Sequence, residues 1–235
     1  MIGTLYLVGT GPGDPELLTL KAARILGGID VVAYPQKPGE PSLSYAIAKE
    51  HLNPDAHLLA ADIPMSSERA PAQNAYDDLA GQILLQLNDG KNTAYLCEGD
   101  PLFYGSAMYL IERLGAHTRV EIVPGITSLT ATAAAIGRPL AARNDRLKIL
   151  PAPLDSEVLR AELKTAEAAA IIKVGRHFDR VRELLEQTGH ARNAMIVEHA
   201  TSDKQRITPL REFTKNDRPY FATILCYKGD EAWAK

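Results

Sequence analysis

A chain of 235 residues with 46% hydrophobic and 23% charged side chains has the make-up of an ordinary globular protein, long enough for one large or two small domains. Its formal charge of −3 speaks against the net basic face with which nucleic-acid-binding proteins displace counterions; no nucleic-acid partner is expected, and an anionic ligand has to meet local arginines. The two cysteines, Cys97 and Cys226, each sit inside an apolar run. That is the usage of buried free thiols in a reducing compartment, without a disulfide framework or zinc-ligand spacing. No apolar stretch approaches the ~20 residues that span a bilayer, and Met1-Ile2-Gly3-Thr4 carries no positively charged leader region. A cytoplasmic protein without membrane contact is the expectation.

The first element is an apolar run, Leu5-Tyr6-Leu7-Val8, that breaks into closely spaced glycines at 9, 11 and 13 and resumes with helix-start signals. It reads as strand, loop, helix, with the glycines letting the backbone pass close to a ligand. The spacing is not that of a dinucleotide site: the third glycine comes one residue early, Pro12 donates no amide, and Asp30 opens the next strand instead of ending it. A nucleotide-dependent oxidoreductase is therefore the weaker alternative. Asp14 or Thr19 caps the helix, and Gly27-Gly28 is expected to end it in the left-handed conformation.

Strand-like runs follow at 29–34, 93–97 and 120–123, with helical patterns at 42–50, 72–88 and 106–114. Strands alternating with helices predict an α/β fold with a mostly parallel sheet, and the loops at 9–14 and 99–105 then share its carboxyl edge, where open sheets bind ligands. Residues 63–73, with prolines, serines and both charge signs, read as a long mobile loop or lid. From Lys148 onward apolar runs at 148–150, 169–172, 194–197 and 220–225 predict a second sheet, parallel or mixed. Two α/β domains, 1–120 and 121–235, are the expected organisation, with the Pro124-Gly125 turn at the boundary and an Ala-rich helix at 128–136 after it.

The segment from Leu5 to Ala22 resembles the amino-terminal signature of the tetrapyrrole methylases. Cys97-Glu98-Gly99-Asp100-Pro101-Leu102-Phe103-Tyr104-Gly105 resembles their Gly-Asp-Pro loop, and Val123-Pro124-Gly125-Ile126-Thr127-Ser128 their third element. The resemblance covers nearly the whole chain. It implies two α/β domains with an active-site cleft between them, S-adenosyl-L-methionine (SAM) as methyl donor, no metal, a tetrapyrrole substrate and a homodimer. Family SAM contacts fall on Pro12, Glu98, Gly99, Asp100, Phe103, Thr127 and Ser128, and less securely on Val174 and Ala200, where some relatives carry methionine and glycine. Backbone contact is the reading for those two. The phrases around Tyr34, Glu98, Arg138 and Lys173 look most like the branch that methylates precorrin-2 at its C-20 meso carbon in cobalamin biosynthesis; the cobalt-bearing substrate and a corrin-pathway relative acting at another carbon are the alternatives.

Asp100-Pro101 is by itself equally a turn starter, but a carboxylate also accepts ribose hydroxyls or an amino group. Glu98 reads as a SAM contact, a proton acceptor or a solvated rim charge. Sirohaem-forming relatives carry an aspartate after the second strand's tyrosine, whereas Tyr34 is followed here by Pro35 and Gln36, so no residue is assigned as the base. Tyr34 and Arg176 are the expected substrate contacts, Arg176 because it follows a strand and a glycine and so reaches a carboxylate. Arg180 and Arg182 read as a solvated helix face, and Arg138, Arg143 and Arg146 as a second basic group. The six histidines form no ligand pattern, and no serine or cysteine has a nucleophile's frame.

Overall fold

The computed structural model describes residues 1–64, 69–214 and 221–228, which divide into two compact units, Met1–Thr127 and Ser128–Lys235. The first contains β1 (Leu5–Gly9), α1 (Leu20–Leu26), β2 (Val31–Gln36), α2 (Leu43–Ala48), β3 (His57–Asp62), α3 (Arg69–Asn88), β4 (Thr93–Cys97), α4 (Ala107–Leu114) and β5 (Val120–Val123). Its five strands run β3-β2-β4-β1-β5, every neighbouring pair parallel. The two-residue alternation of the strands explains the layering. Leu5, Leu7, Tyr95 and Cys97 point to the face covered by α3 and α4, and Val8, Ala94 and Leu96 to the face carrying α1 and α2. Helices on both faces leave β4 buried along its whole length.

The second unit comprises α5 (Ser128–Ile136), β6 (Leu147–Pro151), α6 (Ser156–Lys164), β7 (Ala168–Ile172), α7 (Phe178–Gln187), β8 (Met195–Glu198), β9 (Arg206–Pro209) and β10 (Ala222–Tyr227). The strand order is β6-β7-β10-β8-β9, with β6 and β7 parallel and the remaining pairs antiparallel. α6 and α7 pack their apolar stripes on one side of this mixed sheet, while α5 meets Val197 and Ala200 on the other.

Several expectations change. Thr19 caps α1, accepting from the Ala22 amide at 3.2 Å, while Asp14 caps a separate single 3-10 turn, Pro15–Leu17. Gly27 ends α1 at φ −68°, right-handed, because its amide continues the helix bond to Ala23 O. Of the expected loop at 63–73, residues 69–73 belong to α3, and 65–68 lie outside the described residues. β5 pairs with β1 and so belongs to the first unit. The expectation of buried free thiols is met: Cys97 and Cys226 are both buried and unbridged.

Candidate functional site

Because β1 lies between β4 and β5, their carboxyl ends finish side by side, Gly9 opposite Cys97 and Val8 opposite Val123. The loops that follow are knitted backbone to backbone. Thr10 donates to Cys97 O twice, from its amide at 2.8 Å and its hydroxyl at 3.0 Å. Gly11 and Gly99 exchange amide bonds at 3.2 and 2.8 Å. Side chains have no room here: a Cβ on Gly125 would stand 2.1 Å from Gly99 O, and one on Gly9 would stand 2.6 Å from Gly125 N. These glycines therefore serve one another, allowing three backbones to touch at the carboxyl edge of the sheet.

Asp100 straps the assembly. Its Oδ1 accepts from the Leu102 amide at 2.9 Å and its Oδ2 from the Gly125 amide at 3.0 Å. It is thus both turn starter and cross-loop brace. Pro12 and Phe103 are half-buried in the adjoining loops, Phe103 edge-on to Tyr104 with ring centroids 5.1 Å apart. Below them the fully buried Tyr95 phenol, which burial keeps well above its usual pKa, meets Ser106 Oγ at 3.1 Å and fixes the far end of the Gly-Asp-Pro loop.

Glu98 follows β4 directly. Its side chain is open to solvent, yet the protein atoms crowding it push its pKa up to about 7, with the Lys37 charge pulling the other way. The neighbouring strand β2 carries Tyr34, stacked on Tyr45 at 4.6 Å. Desolvation, and then Tyr45, raise the Tyr34 pKa. Thr127 is half-buried at the end of this unit.

In the second unit Ser128 is the half-buried first residue of α5. Val174 and Ala200 follow β7 and β8, which run parallel to each other because both are antiparallel to β10. Their side chains are buried, 1% and 8% exposed, so backbone is what each can offer a ligand. Both stand in bends made by non-glycine residues with positive φ: Lys173 at 57° beside Val174, and His199 at 48° and Thr201 at 68° around Ala200. Such strain concentrates at functional loops. Sequence gave no hint of it, since none of the three is glycine or asparagine.

Arg176 is exposed on the single turn Gly175–His177, its Nε 3.4 Å from His177 Nε2. Burial and the neighbouring Arg180 and Arg176 charges lower the His177 pKa. Arg180 departs from the expected solvated face: its guanidinium donates to Leu154 O at 2.9 Å, to Ser156 Oγ and to Ala152 O, pinning α7 to the loop after β6. Arg182 donates to Phe213 O at 3.3 Å. In the other basic group, Arg146 pairs with Glu167 and Arg138 donates to Asn193 O at 2.7 Å. Among the described residues no three His, Cys, Asp or Glu side chains gather as metal ligands, and no helix is long and apolar enough to cross a membrane.

The family model of the Tetrapyrrole (Corrin/Porphyrin) Methylases matches residues 4–214. The cobalamin biosynthesis protein CobIJ of Mycobacterium tuberculosis is 40% identical over 97% of this chain, which spans 46% of that protein's length. A precorrin-2 C(20)-methyltransferase of a Sinorhizobium species is 38% identical, with 95% of each protein covered. A cobalt-precorrin-2 C(20)-methyltransferase of Salmonella typhimurium is 31% identical over 97% of this chain and 98% of its own. Among solved structures, the cobalt precorrin-4 methyltransferase CbiF superposes with a TM-score of 0.76 over 95% of this chain and 94% of its own, at 24% identity, a likeness of fold. The uroporphyrin-III C-methyltransferase of Thermus thermophilus complexed with S-adenosyl homocysteine gives 0.67 at 26% identity, covering 95% and 97%.

Proposed function

The chain belongs to the tetrapyrrole (corrin/porphyrin) methylases, and from that premise we propose that it transfers a methyl group from SAM to the C-20 meso carbon of precorrin-2, giving precorrin-3A. The observation that carries the reading is the knitted floor of Gly9, Gly99 and Gly125, braced by Asp100 at the carboxyl edge of an open parallel sheet, where such sheets take their ligands. The two relatives named as C(20)-methyltransferases align over nearly their full length, and they support the choice of carbon.

The residues present fit SAM. A carboxylate offers about four lone-pair positions, so Asp100 can brace Gly125 and Leu102 and still accept from a ribose hydroxyl or an amino group. Within the first unit Gly99 supplies close backbone, Pro12 and Phe103 apolar surface and Thr127 a hydroxyl; the Ser128 hydroxyl and the main-chain groups of Val174 and Ala200, all in the second unit, keep the SAM assignment that the family resemblance gives them. Bound there, SAM supplies an electrophilic sulfonium methyl. The protein's share is alignment with an electron-rich bridge carbon, a proximity effect of roughly 7–11 kcal/mol at most. Glu98, with a pKa near neutrality, is suited to take up the proton displaced from that carbon. Tyr34 and Arg176 are assigned to the substrate, Arg176 as a bidentate partner for one of its carboxylate arms.

The relatives' names favour one second reading, the cobalt-bearing form of the same substrate. Methyl-labelled SAM offered with metal-free precorrin-2 and, separately, with its cobalt complex tests both, with carbon NMR locating the new methyl. Label on a ring carbon would remove the C-20 assignment, and no transfer to either tetrapyrrole would remove methyl transfer itself. A homodimer is part of the proposal; a stable 25.6 kDa monomer in sedimentation at micromolar concentration would contradict it.

A further inference from the structure

A cavity of about 500 Å³ lies in the second unit, floored by Ile136, Met195, Ile207 and Pro209 and rimmed by Arg138, Arg192 and Arg211. Its construction follows from the β8–β9 hairpin. At the open end of that hairpin Met195 pairs with Pro209, and the Leu210 amide donates to Ala194 O at 2.9 Å. This brings together two single 3-10 turns, Ala191–Asn193 and Leu210–Glu212. Each turn carries an arginine at its middle position, Arg192 in one and Arg211 in the other. Arg138, two residues beyond α5, comes from a third direction.

The third guanidinium is held before any ligand arrives. Its Nη1 donates to Asn193 O at 2.7 Å, and its Cζ lies over the Tyr227 ring, 5.7 Å from the centroid. Burial lowers the Arg138 pKa, because a crowded setting disfavours the charge; an anion beside it offsets that penalty. Arg211 pairs with Glu212 at 3.2 Å, but both side chains are largely exposed, and such a pair exchanges readily for a ligand. Among the described residues lining the cavity, three are cationic and none acidic.

The cavity also stands away from the second unit's proposed cofactor contacts. Ser128 and Ile136 are the two ends of α5, roughly 12 Å apart at 1.5 Å per residue. Met195 begins β8, whereas Ala200 lies just past its end. One helix and one strand thus separate the two places in the same direction.

We propose that this cavity is a second ligand site, taking an organic dianion or polyanion with a compact apolar body. Guanidinium forks match carboxylate and phosphate oxygens two at a time, and the aliphatic floor covers the body that carries them. A volume of this size suits a small molecule. The site does not depend on the methyl-transfer reading.

Calorimetry on the full chain tests it, with benzene-1,3,5-tricarboxylate as the carboxylate probe, 1-naphthyl phosphate as the phosphate probe and inorganic phosphate as the control without a body. One of the organic probes should bind at least about tenfold more tightly than inorganic phosphate, and the preferred probe identifies the anion chemistry. Arg192→Ala combined with Arg211→Ala, both at exposed positions, should weaken that binding about tenfold or more while SAM affinity stays unchanged. Ile207→Trp, which fills the floor and keeps every arginine, should do the same. Binding by neither organic probe, or binding that survives the double arginine variant, overturns the proposal.

Discussion

Asp100 Oδ2 accepts the Gly125 amide at 3.0 Å across 25 residues of sequence, so a side chain from the loop after β4 sets the position of the turn after β5. Its other oxygen holds Leu102 within its own loop. Asp100→Ala therefore leaves two amides without their acceptor and should destabilise the fold by about 1–3 kcal/mol, which in a chain of this size is roughly 2–4 °C of melting temperature per kcal/mol. SAM affinity should fall as well. Asp100→Asn keeps one acceptor oxygen and should lie between the two. Calorimetric melting and SAM titration of both variants check this; an Asp100→Ala protein that melts and binds like the parent would remove the brace.

Gly125→Ala tests the backbone contact directly. The added methyl meets Gly99 O at 2.1 Å, and since backbone on both sides must move, a loss of about 3 kcal/mol or more is expected, with SAM binding lost alongside. Gly28→Ala is the matched control: nothing lies within 4 Å of its Cβ, and its effect should stay within about 0.5 kcal/mol. Urea unfolding of the pair separates a crowded glycine from a tolerant one.

Glu98 makes stability depend on pH in a defined direction. Its pKa rises from 4.5 to about 7 in the folded protein, so the native state holds the proton more tightly than the unfolded chain. The stability this contributes is fully present below about pH 4.5, is lost as pH rises to about 7, and changes no further above that. Glu98→Gln, which cannot ionise, should melt above the parent at about pH 8, with the gap closing toward about pH 4. Parallel melting curves across that range would show that the carboxyl is not perturbed. If Glu98 also takes the displaced proton, parent turnover climbs through about pH 7 and the variant's profile is flat.

Arg180 and Arg176, four residues apart on neighbouring turns, should behave oppositely. Arg180→Ala strips donors from Ala152 O, Leu154 O and Ser156 Oγ and should destabilise by about 1–3 kcal/mol without a direct effect on ligand affinity. Arg176→Ala removes an exposed side chain, so stability should hold while KM for the tetrapyrrole rises. Melting temperatures and steady-state kinetics of the two variants decide the assignment, and an unchanged KM in Arg176→Ala would take that residue out of the substrate site.

The strands that the sequence announced include those with consecutive buried residues, such as β4 and β10, and the outer strands β5 and β6, whose residues are mostly half-buried. The two it hid, β3 and β9, are each an outer strand with more exposed residues, four of six in β3 and two of four in β9; with so little side-chain burial, an apolar run does not reveal them. At the site, the Gly-Asp-Pro loop was legible because Asp and Pro have local turn chemistry. Its attachment to Gly125 was not, since no sequence period joins residues from different loops. The left-handed bends at Lys173, His199 and Thr201 escaped because none of these residues is glycine or asparagine, the types that signal positive φ in a sequence.

The contact among Gly9, Gly99 and Gly125 also bears on how the molecule matures. Its participants come from the first strand and from the last two of the sheet, and Thr10 alone reaches 87 residues forward to Cys97. Such long closures make for slow, late steps in folding. A nascent chain that has displayed β1 to β4 already owns much of the hydrophobic interior of its first unit, yet the floor proposed to hold SAM stays unfinished until Gly125 arrives. On the proposed site, competence to bind SAM therefore reports that the whole first sheet has assembled, and an intermediate lacking β5 should be compact and ligand-blind.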